Sequence, residues 1–349
     1  MERRAFMAGV GAAGFVSPAW ASGGWYLPDE ALPHERTFMQ WPVSRAVYRD
    51  GAFLDMVQDA IADVANTIAG FEPVVMLMEA GHTGAARRKL SEAVEIWDVP
   101  TEDLWARDSG PVFVTDGTGN LAVRSFNFNG WGGRQVHRED GRVAARVAER
   151  MGLPLLDNGL VGELGGLEHD GEGLVIAHES SWVNPNRNTG SRAEVEALIL
   201  EAIGAERMIW APGIAGQDVT DYHIDSLARF VGPGRVLIQL PEYDARDPWR
   251  RVPHETHDIL ADAGLEMIVI PEPERPRVRS LDFVASYINC YLCNGAVIAA
   301  QFGDARTDAM ARETFEALYP EREVVMLNVD PIGEIGGGIH CATQQQPKV

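Results

Sequence analysis

Apolar and polar positions along this chain follow two periods, and the switch between them recurs. A strand-like run, a tight turn, a second strand-like run, a stretch with helical spacing and a third strand-like run follow one another several times. Asp116-Gly117-Thr118-Gly119 separates the apolar runs 111–114 and 121–126 and reads as a hairpin turn. Asp170-Gly171-Glu172-Gly173 precedes the run 174–177, and Gly232-Pro233-Gly234 lies between 227–231 and 236–240. Asn294-Gly295 lies between 287–289 and 296–298, and the turns stand roughly 50–60 residues apart. After the second turn, Ser191 and Glu194 form a capping box that opens a helix whose apolar stripe is Val195, Leu198, Ile199 and Ala202. The strand 208–210 follows it. The same order predicts helices over 249–263 and 309–318, with strands at 267–270 and 324–327 after them. Helices near 51–70 and 138–150, with a strand at 74–77, bring the expected number of units to about five. No linker-like stretch divides the chain. The pattern predicts one α/β domain over 22–349, built as a closed ring of similar units.

Composition narrows the class. With 46% apolar and 23% charged residues over 349 positions, the chain can bury a core, so it is neither disordered nor fibrous. Three cysteines do not make a disulfide framework. The excess of 51 acidic over 30 basic residues, a net charge of −21, repels nucleic acid and anionic lipid. The first 21 residues read as a targeting segment. Arg3-Arg4 precedes a short apolar run, and Ala19-Trp20-Ala21 is a small-residue cleavage site. Twin-arginine export to the periplasm, with cleavage after Ala21, is the expectation.

Three clusters carry chemistry. Cys341 follows Gly336-Gly337-Gly338-Ile339-His340, where glycines let backbone approach a ligand; this lone thiol is a candidate nucleophile or a buried structural cysteine. Cys290 and Cys293 fall in a predicted strand, face opposite sides and read as buried apolar-like residues. In Asp218-Val219-Thr220-Asp221-Tyr222-His223-Ile224-Asp225, the two-residue spacing of Asp221, His223 and Asp225 puts all three on one face of an extended chain. A histidine between carboxylates gains proton affinity, as a general acid or base near neutral pH needs. A metal site and a capped loop are the other readings of that run. Trp105-Ala106-Arg107-Asp108-Ser109-Gly110-Pro111 places an aspartate beside an aromatic ring at the head of a strand, which suits a planar cation.

Together, segments 105–111, 218–225 and 336–347 resemble the signature blocks of the agmatine deiminase family, which shares its superfamily with bacterial peptidylarginine deiminases. Segments 33–42, 128–133, 184–188, 286–289 and 301–304 agree in order and content. The resemblance covers essentially all of the chain after the targeting segment. It implies a five-bladed pseudo-symmetric α/β propeller, the pentein fold, and hydrolysis of a guanidinium to a ureido group with release of ammonia. On it, Cys341 is the nucleophile, His223 the general acid and base, and Asp108 and Asp225 the guanidinium-binding carboxylates. The family's Glu-Gly-Gly block corresponds to Glu163-Leu164-Gly165-Gly166-Leu167-Glu168, with Leu164 in place of the first glycine. Glu163 is then the carboxylate that orients His223, with Glu168 as the alternative. Trp105, Trp131, Asp221, Asn289 and Gly338 complete the expected substrate-binding set. Trp105 and Trp131 would line a slot for the aliphatic chain.

No metal or organic cofactor is expected. His340, next to Cys341, is expected to point away from the site on an extended chain. The expected substrate is a small cationic guanidine, agmatine first, giving N-carbamoylputrescine through a covalent thiouronium as in putrescine biosynthesis. Arginine or peptidylarginine deimination is the alternative, and a periplasmic binding protein for cationic amines is a third reading. The remaining partner expectations are a homodimer, no nucleic acid, and no membrane for the mature form.

Overall fold

The computed structural model describes residues 24–280 and 282–349; the targeting segment 1–21 lies outside the described residues. Within them, sixteen strands form five separate sheets in a mixed α/β fold. Four sheets repeat one plan. In the first, β4 (Val112–Thr115) pairs antiparallel with β5 (Leu121–Arg124), the helix Val143–Met151 crosses over, and β6 (Leu155–Leu156) pairs parallel with β5. The second runs β7 (Leu167–His169), β8 (Leu174–His178), helix Arg192–Ile203 and β9 (Arg207–Ala211). The third runs β10 (Ala228–Phe230), β11 (Arg235–Leu240), helix Pro248–Asp262 and β12 (Glu266–Pro271). The fourth runs β13 (Tyr291–Cys293), β14 (Ala296–Ala300), helix Ala305–Leu318 and β15 (Glu323–Leu327).

The fifth sheet is assembled from both ends of the chain. β16 (Gln344–Pro347) pairs antiparallel with β1 (His34–Gln40), with Phe38 opposite Gln344. The helix Gly51–Ile68 then leads to β2 (Val74–Met78), parallel to β1, and β3 (Val94–Asp98) extends the sheet. The turn-and-helix repeat read from the sequence thus has a direct structural counterpart. Three boundaries moved by three residues or more. Residues 287–289 bend rather than extend, so the fourth hairpin starts at Tyr291, the helix expected from 138 begins at Val143 after a single 3-10 turn, and the helix expected from 309 begins at Ala305, capped by Asp304.

Burial explains the patterns. The middle strands are covered on both faces, and β2 and β14 are buried along their whole length. They therefore read as continuous apolar runs rather than as alternation. The helices cap themselves as their sequences dictate: Ser191 and Glu194 form the reciprocal capping box. Asp50, Asp247 and Asp304 accept bonds from the first-turn N–H groups of theirs. The opening strands are different. They bury polar side chains, among them Glu168 on β7, Arg229 on β10 and Gln345 on β16. Cys290 and Cys293 are both buried free thiols.

Trp182 supports the segment before β7. It is fully buried, donates from Nε1 to the Gly166 carbonyl at 2.8 Å, and meets Phe126 edge-on at 5.9 Å. Trp182→Ala should lower unfolding free energy by about 3–5 kcal/mol through the cavity it leaves. Urea denaturation checks this, and a loss below about 1 kcal/mol, the scale of a surface change, would contradict the packing role.

Candidate active site

One residue or pair from each of the five units converges on a single cluster, always from the segment just before the unit's opening strand. Asp108 precedes β4, Glu163 precedes β7, His223 and Asp225 precede β10, Asn289 precedes β13 and Cys341 precedes β16. All six are buried. His223 Nδ1 lies 3.7 Å from Asp108 Oδ1, and His223 Nε2 lies 3.2 Å from Glu163 Oε2. Cys341 Sγ stands 3.5 Å from Asp225 Oδ2 and accepts a bond from Asn289 Nδ2 at 3.1 Å. Asn289 Oδ1 in turn accepts the Cys341 N–H at 3.2 Å. The Asp108 turn is tied to the thiol's segment as well, since the Arg107 N–H donates to the Cys341 carbonyl at 3.0 Å.

Two glycines allow this approach. A Cβ on Gly165 would stand 2.8 Å from His223 Nδ1, 2.9 Å from Asp108 Oδ1 and 3.1 Å from Asp225 Oδ2. A Cβ on Gly338 would collide with Asn289 Oδ1 at 2.5 Å. Leu164 is buried in the core beneath this loop, so the exchange of the first glycine leaves Gly165 free to face the carboxylates.

The cluster opens into a cleft of about 800 Å³ lined by Trp105, Asp108, Trp131, His223 and Cys341 at its base. Trp131, held at a φ of 53°, donates from Nε1 to Asp108 Oδ2 at 3.0 Å, which leaves Oδ1 buried with no hydrogen-bond partner among the described residues. The lining also carries Asp103, Asp218, Glu272, Asp282 and Glu334, with Arg49 as its one arginine.

Electrostatics follow from burial and crowding of like charge. Burial alone would strip the proton from His223, but Asp108, Glu163 and Asp225 outweigh it and lift the imidazole to about 9. Asp108 is raised to about 6, first by burial and then by Glu163 and Asp225, against the opposing charge of His223. Burial, then Asp225 and Asp108, push the Cys341 thiol well above its ordinary range. Asp225 goes the other way. Burial would raise it, but the hydrogen bond and charge of His340, with His223 and Arg229 behind, hold it below the usual carboxylate range.

Three expectations need correcting. Asp221, His223 and Asp225 do not share a face. Asp221 and Tyr222 take left-handed backbone, φ 60° and 74°, which breaks the extended path, and residues 224–226 close into a 3-10 turn. Asp221 therefore turns away from the cleft. It accepts bonds from both Nη atoms of Arg134 at 2.9 and 3.0 Å, Asn186 Nδ2 at 3.0 Å and Arg187 Nη1 at 3.3 Å. The carboxylates that flank His223 come instead from other units, Asp108 and Glu163. Glu168, the alternative to Glu163, pairs with Arg229 at 2.9 Å and not with His223. His340 sits in a turn rather than on an extended strand, and its ring reaches Asp225.

The sequence reading did not single out the buried cations. Arg187 donates from Nε to Glu163 Oε1 at 2.8 Å, and so ties Asp221 to the histidine's partner. Arg107 and Arg229 serve the opposite side. A charged residue inside an apolar strand, as in Leu227-Ala228-Arg229-Phe230-Val231, is the signal that marks such a group. Among the described residues, no group of three or more His, Cys, Asp or Glu is placed to hold a metal ion.

Comparison with known proteins agrees with this geometry. The family profile of Porphyromonas-type peptidyl-arginine deiminases matches residues 26–347. A chain of Streptomyces coelicolor, provisionally named an agmatine deiminase, is 38% identical over 340 residues, 92% of this chain and 98% of that one. The agmatine deiminase of Pseudomonas aeruginosa is 34% identical over 359 residues, 93% of this chain and 96% of that one. Among solved structures, the agmatine deiminase of Enterococcus faecalis superposes with a TM-score of 0.85 at 26% identity, covering 95% of this chain and 98% of that chain. On its matched residues and these relatives, the chain belongs to the Porphyromonas-type peptidyl-arginine deiminase family, the family of the agmatine deiminases it resembles.

Proposed function

We propose that the cleft hydrolyses the guanidinium of agmatine, with water, to N-carbamoylputrescine and ammonia. The observation that carries the reading is the buried thiol of Cys341 beside the carboxylate of Asp225, with Asp108 and the imidazole of His223 in the same cluster. In the proposed arrangement, Asp108 and Asp225 take the N–H donors of the planar cation. The cation's charge offsets the two carboxylates that disfavour the thiolate, so substrate binding activates the nucleophile. Cys341 gives its thiol proton to solvent, and Sγ adds to the guanidinium carbon. His223, protonated in the free protein, gives its proton to the departing ammonia, and the covalent thiouronium remains. The imidazole then takes a proton from water, whose oxygen adds to the same carbon, and the C–S bond breaks to leave the ureido product and the thiol. Glu163 acts as the positioning carboxylate for His223.

The relatives named as agmatine deiminases support the choice of substrate, as does the cleft lining, where five carboxyl groups besides Asp108 stand beside one guanidinium. An amine end suits that lining better than the carboxylate of free arginine does. The volume of the cleft, about 800 Å³, favours a peptide-borne arginine as the second reading. The proposal includes the arrangement of the five units around a pseudo-five-fold axis as a propeller, with the five pre-strand segments meeting at its centre. It also includes twin-arginine export and cleavage after Ala21, which sequencing the N-terminus of the periplasmic protein tests.

Two outcomes check the reaction. Cys341→Ser should abolish ammonia release from agmatine while still binding it, measured by a coupled ammonia assay and calorimetry. Release at the native rate would remove Cys341 as nucleophile, and turnover of an arginine peptide but not agmatine would favour the second reading. The second outcome concerns pH. A cation needs Asp108 ionised, so agmatine binding to Cys341→Ser should be full above pH of about 6 and fall roughly tenfold per unit below it, as Asp108 takes up its proton. An affinity that stays flat from pH of about 7 to about 5 would show that Asp108 does not hold the cation.

A further inference from the structure

Behind Asp225, on the side away from the cleft, lies a chain of buried charges that the proposed reaction does not use. Glu30, in the segment before β1, accepts bonds from Arg107 Nη2 at 3.1 Å and the Leu292 N–H at 3.1 Å, pairs with Arg229 Nη2 at 3.0 Å and lies 2.9 Å from His340 Nε2. The other ring nitrogen of His340, Nδ1, lies 2.7 Å from Asp225 Oδ2. Glu168 completes the group through Arg229 Nε at 2.9 Å. Every member is less than a tenth exposed.

Two independent features of this geometry lead to one protonation state. Both nitrogens of His340 face carboxylate oxygens at hydrogen-bonding distance. A neutral imidazole has one N–H, so it would set a lone pair against one of those oxygens; only the imidazolium donates to both. Charge balance gives the same answer. Glu30, Glu168 and Asp225 carry three negative charges, Arg107 and Arg229 carry two positive ones, and the buried group is neutral only with His340 as a cation.

We propose that His340 is a positioning residue, held as an imidazolium between Glu30 and Asp225, that keeps Asp225 ionised and aimed at the guanidinium. The proposal rests on the reading of Asp225 as a cation-binding carboxylate. It assigns Glu30, almost two hundred positions from Asp225 in the chain, to the support of the site. Asp225 is faced by His340 and Cys341 from the segment before β16, by His223 on its own turn, by Asp108 from the segment before β4, and by Arg229 on β10. His340 is faced by Glu30, Asp225 and, at longer range, Glu168. Removing the imidazolium takes from Asp225 its one short-range cationic donor on the buried side.

The test compares His340→Gln and Glu30→Gln with the native protein, with folding checked by circular dichroism. In the second variant the remaining charges balance with a neutral His340, so both changes should act alike. Each should raise KM for agmatine about tenfold, the scale of one hydrogen bond to a charged group. Each should also steepen the acid limb of kcat/KM below the pH of about 6 at which Asp108 takes its proton, because Asp225 then takes its own proton more readily and adds a second loss. Raised KM with an acid limb of unchanged steepness would assign His340 a packing role and overturn the proposal, as would native behaviour in both variants. Nitrogen NMR of the histidine-labelled native protein at pH of about 8, where a free imidazole is neutral, decides the protonation state without any turnover. Protons on both ring nitrogens of His340 are expected; a single N–H overturns the proposal even if agmatine proves to be the wrong substrate or either variant fails to fold.

Discussion

Three carboxylates, Asp108, Glu163 and Asp225, are buried around one imidazole, and the site is organised by the cost of keeping them there. Ionised groups removed from water lose several kcal/mol of hydration each unless partners replace it. Each carboxylate meets that demand differently. Glu163 is bonded by Arg187, Asp225 by His340, and Asp108 by one tryptophan N–H on Oδ2 only. Asp108 is accordingly the one of the three left raised, and its Oδ1 is a buried acceptor without a donor among the described residues. A planar cation bound there would supply the missing charge, and that is the physical content of the functional proposal.

The fold brings this about through repetition. A hairpin, a crossover helix and a parallel strand make a unit whose middle strand is largely buried, so the five units pack by their middles and their helices. The segments leading into the opening strands supply the chemistry. Equivalent positions in successive units thus became different groups: an aspartate, a glutamate, a histidine with a second aspartate, an asparagine and a cysteine. The pairing of β16 with β1 has a particular consequence, because it carries Cys341, close to the C-terminus, to within reach of Asp108 and Asp225. The arginines follow the same logic, one set steadying Glu163 and another Glu30.

Much of the fold was legible because turn chemistry and helix caps are local. Asp116-Gly117, Gly232-Pro233-Gly234 and the Ser191–Glu194 box depend on residues a few positions apart, and each appears where the sequence puts it. Cys341, His223, Asp108 and Glu163 were found through motif resemblance, and the structure brings them together. Asp221 was misplaced for a reason that spacing cannot reveal: two consecutive residues with left-handed backbone cancel the alternation on which a one-face argument rests. The flanking of His223 by Asp108 and Glu163, and of His340 by Glu30 and Asp225, joins positions far apart in the chain. No local pattern encodes such pairs, and only a lone charge within an apolar run hints that one exists.

The central claim is that positive charge in the site converts the Cys341 thiol to its reactive form. Two alkylating agents of nearly equal size test it directly, neutral chloroacetamide and cationic chloroacetamidine, each followed by mass spectrometry of the Cys341 peptide. The account predicts that the amidine modifies Cys341 at least about tenfold faster, the scale of one charge-assisted contact, and that Asp108→Asn removes most of the difference. Equal rates for the two reagents in the native protein would contradict it.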